Sequence, residues 1–246
     1  MRLKALQHAW EGLARRDPLW AVLTAPDKRG NRWNETEFFA TGVEAVEGIL
    51  RHVESLGISF GRGKALDFGC GVGRLTQALA SHFDEVHGVD IAPSMIERAR
   101  SHNRWGDRCT YHVNDRDDLA LFEDGAFDFV LSLITLQHMP PAHATRYLRE
   151  FVRVLAPGGV LVVQTAGEQI VLSPGSLRGL LRRAAPASLL RAWRRLRQGH
   201  AIDMYGIPRE EVVALLEANG ATVVDVAEEP SAGASWTSFR YCARKG

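Results

Sequence analysis

Hydrophobic and polar positions change their period along this chain. In the centre, short apolar runs rich in β-branched and aromatic residues, at 65–68, 85–89, 110–113, 127–134 and 159–165, alternate with stretches of helical periodicity at 73–82, 93–102 and 141–155. Short buried runs separated by helical segments predict parallel strands joined by crossover helices. The tail breaks the alternation. A helix over 208–219, ended by Gly220, is followed by strand-like runs at 222–228 and 235–243 with no helix between them, which predicts a hairpin at one edge of the sheet.

Two segments fall outside this pattern. Residues 1–60 read as two or three helices around an Asp27-Lys28-Arg29-Gly30-Asn31 turn, too polar and interrupted to extend the sheet, and predict a helical cap on a main domain spanning 61–246. An insertion at 169–205 carries Arg178, Arg182, Arg183, Arg191, Arg194, Arg195 and Arg197, with no acidic residue before Asp203. Its leucines recur at helical spacing on either side of Pro186, so it reads as one or two basic amphipathic helices. Three roles are open for it: a solvated face, a lid over an anionic or sugar-like acceptor, or a membrane-surface helix.

Composition narrows the class. With 46% hydrophobic and 24% charged residues the chain is that of a globular protein, which excludes disorder and fibrous repeats. A net charge of +1 argues against nucleic-acid binding by bulk electrostatics. Cys70, Cys109 and Cys242 are odd in number and widely spaced, so neither a disulfide framework nor a metal site is expected. The opening residues lack an apolar h-region and no run approaches the about 18 apolar residues of a membrane span, so a cytoplasmic protein is expected.

The chemistry concentrates in Leu66-Asp67-Phe68-Gly69-Cys70-Gly71-Val72-Gly73-Arg74, a strand running into a glycine-rich turn and then a helix. Glycines there permit unusual dihedrals and let a nucleotide-like ligand approach the backbone. The dinucleotide fingerprint G-x-G-x-x-G needs a third glycine where this chain has Arg74. What stands instead is a carboxylate, Asp67, followed by alternating glycines. That arrangement suits a positively charged amino-acid moiety better than a pyrophosphate.

On these residues the chain resembles the class I S-adenosylmethionine (SAM)-dependent methyltransferases, over about residues 60–167. Further segments carry the resemblance. Val86-His87-Gly88-Val89-Asp90 is a second strand ending in an acid, and the resemblance implies that Asp90 accepts both ribose hydroxyls, with Ile91 and Met95 on the adenine face. Val113-Asn114-Asp115-Arg116 is similar to the segment where an acid meets the adenine amino group and the next backbone N–H meets the ring, which implicates Asp115 and Arg116. Phe127 to Leu133 followed by Gln137-His138-Met139 looks like the fourth strand, beside the methionine part, and implicates Leu133 and Gln137. With Asp67, Gly69, Gly71, Gly73 and Arg74 these form the expected SAM site. The implied fold is a Rossmann-like, doubly wound α/β sheet of seven strands, order 3-2-1-4-5-7-6, with strand 7 antiparallel.

The implied reaction is displacement at a sulfonium methyl, yielding S-adenosylhomocysteine, in which the protein aligns the acceptor and excludes water. His138 is the candidate general base for a hydroxyl acceptor, or else it caps the helix after Pro140. Trp20, Trp33, Phe39 and Tyr205 either line an acceptor pocket or, for the N-terminal aromatics, pack helices. Cys70 reads as a packing residue, with no activating base beside it. The expected acceptor is a small polar molecule, a sugar or natural-product hydroxyl. An RNA or protein methyltransferase is the first rival, although Leu136-Gln137-His138-Met139-Pro140-Pro141 lacks the [DNS]-P-P-[FYW] pattern of nucleobase-nitrogen enzymes. A non-catalytic SAM-binding regulator and an NAD-dependent dehydrogenase are the others.

Overall fold

A computed structural model describes residues 3–170 and 203–246. The chain opens with α1 (Leu3–Arg16), α2 (Pro18–Val22) and α3 (Glu35–Ser55), and continues through β1 (Lys64–Phe68), α4 (Arg74–Leu79), β2 (Glu85–Asp90), α5 (Pro93–His102), β3 (Cys109–Val113), β4 (Phe127–Ser132), α6 (Pro141–Val154) and β5 (Leu155–Gln169). After the insertion come α7 (Arg209–Ala218), β6 (Ala221–Glu228) and β7 (Trp236–Lys245). The strands form one sheet in the order β3-β2-β1-β4-β5-β7-β6, parallel except for β7, which pairs antiparallel with both neighbours. The tail strands do pair with each other, with β7 inside the sheet and β6 at its edge.

Alternation along each strand divides the interior into two layers, because successive side chains point to opposite faces. Leu66, Phe68, Val130, Leu161, Val163 and Tyr241 share one core with Tyr147, Leu148 and Phe151 of α6 and Val212 and Leu216 of α7. Ala65, Phe129, Leu131, Val160, Val162 and Cys242 share the other with Val46, Ile49, Leu50 and Val53 of α3, Leu75 and Leu79 of α4, and Ile96 of α5. Both faces are covered, which is why these strands read as nearly continuous apolar runs.

The N-terminal 60 residues therefore divide. α3, capped by the Asn34 side chain accepting from the Glu37 amide (3.1 Å), is one of the helices covering the sheet. Only α1, α2 and the turn after them lie over the strand ends, where α1 is held by Gln7 donating to the Ile91 carbonyl (3.0 Å) and by Glu11 accepting from the Ser94 amide (3.1 Å) and hydroxyl (2.9 Å). The fourth strand ends at Ser132 and does not run to 134, since Ile134 turns into the left-handed region at φ 57°. β5 is longer than the apolar run alone, extending to Gln169. The basic helices expected over 171–202 lie outside the described residues. Among the described residues no helix is long and apolar enough to cross a membrane, and no cluster of three or more His, Cys, Asp or Glu side chains could hold a metal.

Candidate active site

Strand order reverses between β1 and β4, and in open α/β sheets the crevice at such a switch point, outside the carboxyl ends of the strands, binds ligands. A cavity of about 720 Å³ opens there, roofed by α1 and α2. Its volume falls within the range of small-molecule sites, about 300–1,000 Å³. Gly69, Gly71, Arg74, Asp90, Ile91, Met95, Leu133, Gln137, His138 and Trp20 line it.

The loop after β1 bends because its glycines adopt left-handed dihedrals, with φ 81° at Gly69 and 53° at Gly71. Side chains are excluded as well as strained. A Cβ at Gly69 would overlap the Thr135 side chain, and one at Gly71 would overlap Val22 of the roof. Gly69 and Cys70 donate their amides to the Val89 carbonyl (2.8 and 3.0 Å), so the loop is tied to the end of β2.

Asp90 stands at that end. One carboxylate oxygen accepts from the Gly71 amide (3.0 Å) and the other from the Ala92 amide (2.8 Å). Burial pushes its carboxyl up to about 6, opposed by these backbone hydrogen bonds. A carboxylate has about four lone-pair positions, so the clamp fixes its orientation and leaves about two acceptor positions for a ligand. Ile91 and Met95 supply an apolar surface beside it.

Asp67, expected to meet the ligand, does not reach the cavity. It is 1% exposed and accepts from the Thr76 hydroxyl (2.7 Å), tying β1 to α4 behind the loop. Burial lifts its carboxyl to about 6, against the Thr76 hydrogen bond and the Arg74 charge. Gly73 also lies off the lining, under Tyr111, as the left-handed cap of α4. Asp115 and Arg116 are exposed, with Arg116 paired to Asp118 (3.1 Å); Asn114 is the member of that segment on the wall. Trp33 donates to the Leu23 carbonyl (3.1 Å) and packs on Phe38, and Phe39 packs between Phe38 and His102, so both hold helices together. Tyr205 is bonded through its amide to the Gln137 carbonyl (2.8 Å), and its neighbour Met204 lines the cavity.

His138 lies on the wall with its ring edge-on to Trp10 of α1 (centroids 5.3 Å apart). Burial depresses its imidazole to about 4, with the Asp203 backbone carbonyl pulling the other way, so the ring is neutral at pH 7. Cys70 also lines the site. Burial and the charges of Asp90 and Asp67 push its thiol well up, which leaves it inert as a nucleophile.

Several wall residues escaped the sequence reading. Trp10 and Leu6 carry an ordinary helical stripe signal that does not say what the stripe covers. Ile134, Thr135, Met139 and Ala232 come from loops. Gln164, wholly buried on β5, donates to the Gln137 side chain (3.0 Å) and accepts from the Ile134 amide (2.8 Å), a connection no local pattern announces.

Comparison with known proteins bears on this geometry. A family described as a methyltransferase domain matches residues 65–159, from β1 into β5. That match covers less than half of the chain and is to a methyltransferase domain, in line with the class I resemblance of the same segment. A ubiquinone biosynthesis O-methyltransferase of Xanthomonas euvesicatoria pv. vesicatoria is 30% identical over 136 residues, which cover 55% of this chain and 56% of that protein. The match thus spans about half the length of each. Among solved structures, magnesium protoporphyrin IX methyltransferase of Synechocystis PCC 6803, crystallised with S-adenosylhomocysteine, superposes with a TM-score of 0.63 at 16% identity over 99% of both chains. A SAM-dependent methyltransferase of Leishmania major gives 0.65 at 14% identity, covering 98% of this chain and 82% of that one. At these identities the structures establish the fold, and the seven-strand order with its antiparallel β7 is the one the methyltransferase resemblance implies.

Proposed function

We propose that the chain binds SAM in this cavity and transfers its methyl group to a hydroxyl of a small molecule. The observation that carries the reading is Asp90, a carboxylate clamped by two backbone amides at the end of β2 beside the glycine loop. Its two remaining acceptor positions match a ribose diol. Ile91 and Met95 offer an apolar seat for adenine, the open backbone at Gly69 and Gly71 admits the amino-acid end, and Leu133 and Gln137 flank the position of the sulfur. Arg74, held by Thr41 (3.3 Å), keeps its charge beside the loop, where it faces a carboxylate better than an ammonium.

SAM supplies an activated methyl group on a positively charged sulfur. The chain's contribution is to bind, orient and dry the site: Trp10, Leu6 and Leu13 of α1 and Val22 of α2 close the cavity from above and exclude water. The name of the Xanthomonas relative supports oxygen as the acceptor atom. The wall formed with Met139, Met204 and Ala232 is largely apolar, which favours a hydroxyl on an apolar or aromatic framework over a bare sugar. Calorimetric titration with S-adenosylhomocysteine tests the reading, with NADH as a control. Micromolar binding of the first alone supports it; binding of NADH alone overturns it. Binding without turnover across phenolic, sugar and amine acceptors would favour a SAM-binding regulator.

A further inference from the structure

A run of buried amides beneath the cavity leads through β5 to His138. It starts at the Ile134 backbone N–H, which can only donate, held at φ 57° in a conformation uncommon for a β-branched residue. Its acceptor is the Gln164 side-chain oxygen at 2.8 Å, and this orients the Gln164 amide. The Gln164 nitrogen then donates in two directions, to the Ser238 hydroxyl (2.6 Å), whose own proton goes to the Thr165 carbonyl (3.3 Å), and to the Gln137 side-chain oxygen (3.0 Å). With its oxygen so engaged, Gln137 turns its nitrogen, a donor only, to His138 Nε2 at 3.3 Å. Gln164, Gln137 and Ser238 are 0%, 3% and 4% exposed, so water does not offer an alternative partner.

We propose that Gln164 is a positioning residue that acts through Gln137 to commit His138 to the Nδ1–H tautomer. The Nε2 lone pair is then spent on Gln137, and the proton sits on Nδ1, a buried nitrogen that makes no hydrogen bond of normal geometry among the described residues, the Asp203 backbone carbonyl being the group there that favours a protonated ring. Neither nitrogen is left as a proton acceptor, so the ring walls the cavity and does not serve as general base. For the reaction, a consequence that rests on the methyl-transfer reading, the acceptor's proton leaves by another route.

The tautomer itself is independent of that reading and is measured in the free protein, without SAM or acceptor. Long-range 1H–15N spectra of the 15N-labelled chain at pH 8, assigned by the signals lost in His138→Gln, are expected to show His138 with hydrogen on Nδ1. Gln164→Glu replaces the donor with an acceptor of the same shape. Gln137 should then turn over, present its oxygen to Nε2 and switch the ring to Nε2–H. Gln137→Glu should produce the same switch directly, and it carries the test if Gln164→Glu does not melt cooperatively. An Nε2–H ring in the parent chain, or an unchanged ring in a cooperatively folded variant, overturns the proposal. A merely structural role for Gln164 would lower the melting temperature and leave the tautomer where it was.

Discussion

Asp90→Ala separates binding from stability in a way the geometry specifies. The carboxylate accepts from Gly71 and Ala92 in the free protein, at 3.0 and 2.8 Å, and has about two further positions for a ligand diol. Loss of the two backbone acceptors affects free and bound protein alike. That part appears as lost stability, about 1–3 kcal/mol for each amide left without a partner, less where cavity water replaces it. Loss of the two ligand-facing positions is felt only on binding. A hydrogen bond to a charged group contributes about 1.5–3 kcal/mol, and water in the enlarged cavity recovers part of the pair, so the net effect is about 1–3 kcal/mol. That corresponds to a dissociation constant for S-adenosylhomocysteine raised about 5- to 150-fold. Calorimetric titration reads the binding change and thermal denaturation the stability change. Asp90→Asn retains one acceptor oxygen and sets an amide N–H against one of the two backbone donors, so it should lose stability while binding more weakly than the parent. An unchanged dissociation constant in a cooperatively folded Asp90→Ala protein would falsify the assignment of this carboxylate to the ligand.

Three further outcomes are expected. If, as proposed, the ionised Asp90 carboxylate is the ligand acceptor, burial having pushed its carboxyl up to about 6 means that affinity for S-adenosylhomocysteine should be flat above neutrality and weaken as pH falls through 6, by at most about tenfold per pH unit for one proton. Asp67 and Asp90 are both raised above their unfolded values, so their contribution to stability falls as pH rises from about 4 to about 6; weaker binding in acid that tracked unfolding would contradict this sign. Gly71→Ala places a Cβ against Val22 and should weaken binding about tenfold or more, with Val22→Ala in the same chain restoring part of it; no recovery in the double variant counts against steric closure of the roof. Ile134→Gly removes half-buried contacts but relieves a left-handed β-branched backbone costing about 1–2 kcal/mol, so denaturant titration should show a net change of only about 1 kcal/mol, and a loss above about 3 kcal/mol would contradict the strain assignment.

The half of the cavity proposed for the cofactor is legible in the sequence because it is local. Each strand of the first half of the sheet ends within a few residues of the group it presents, so β1 with Gly69 and Gly71, and β2 with Asp90, Ile91 and Met95, could be read as contiguous segments. The wall opposite is assembled from α1, the loop after β4, Met204 and Ala232, segments that span most of the length of the chain, and no periodicity links them. α3 was misplaced for a related reason. Its stripe of Val46, Ile49, Leu50 and Val53 predicts a buried face, but nothing in it distinguishes packing on the sheet from packing on other cap helices.

Asp67 and Asp90 show where the same kind of signal divides. Both are acids near the ends of adjacent parallel strands, and as sequence they look interchangeable. Asp67 sits inside β1 between Leu66 and Phe68, which face α6 and α7, so the period of two turns Asp67 toward α4, where Thr76 is its partner. Asp90 is the last residue of β2, beyond the Val89 carbonyl that receives the loop amides, and there the pleat no longer buries it against a helix. Asp67 thereby ties two layers together, while Asp90 lines the crevice. Each closes a ladder, Asp67 with Leu131 and Asp90 with Val113, so what divides them is the partner on the face the side chain takes: the Thr76 hydroxyl of α4 for Asp67, and the amides of Gly71 and Ala92 at the crevice for Asp90.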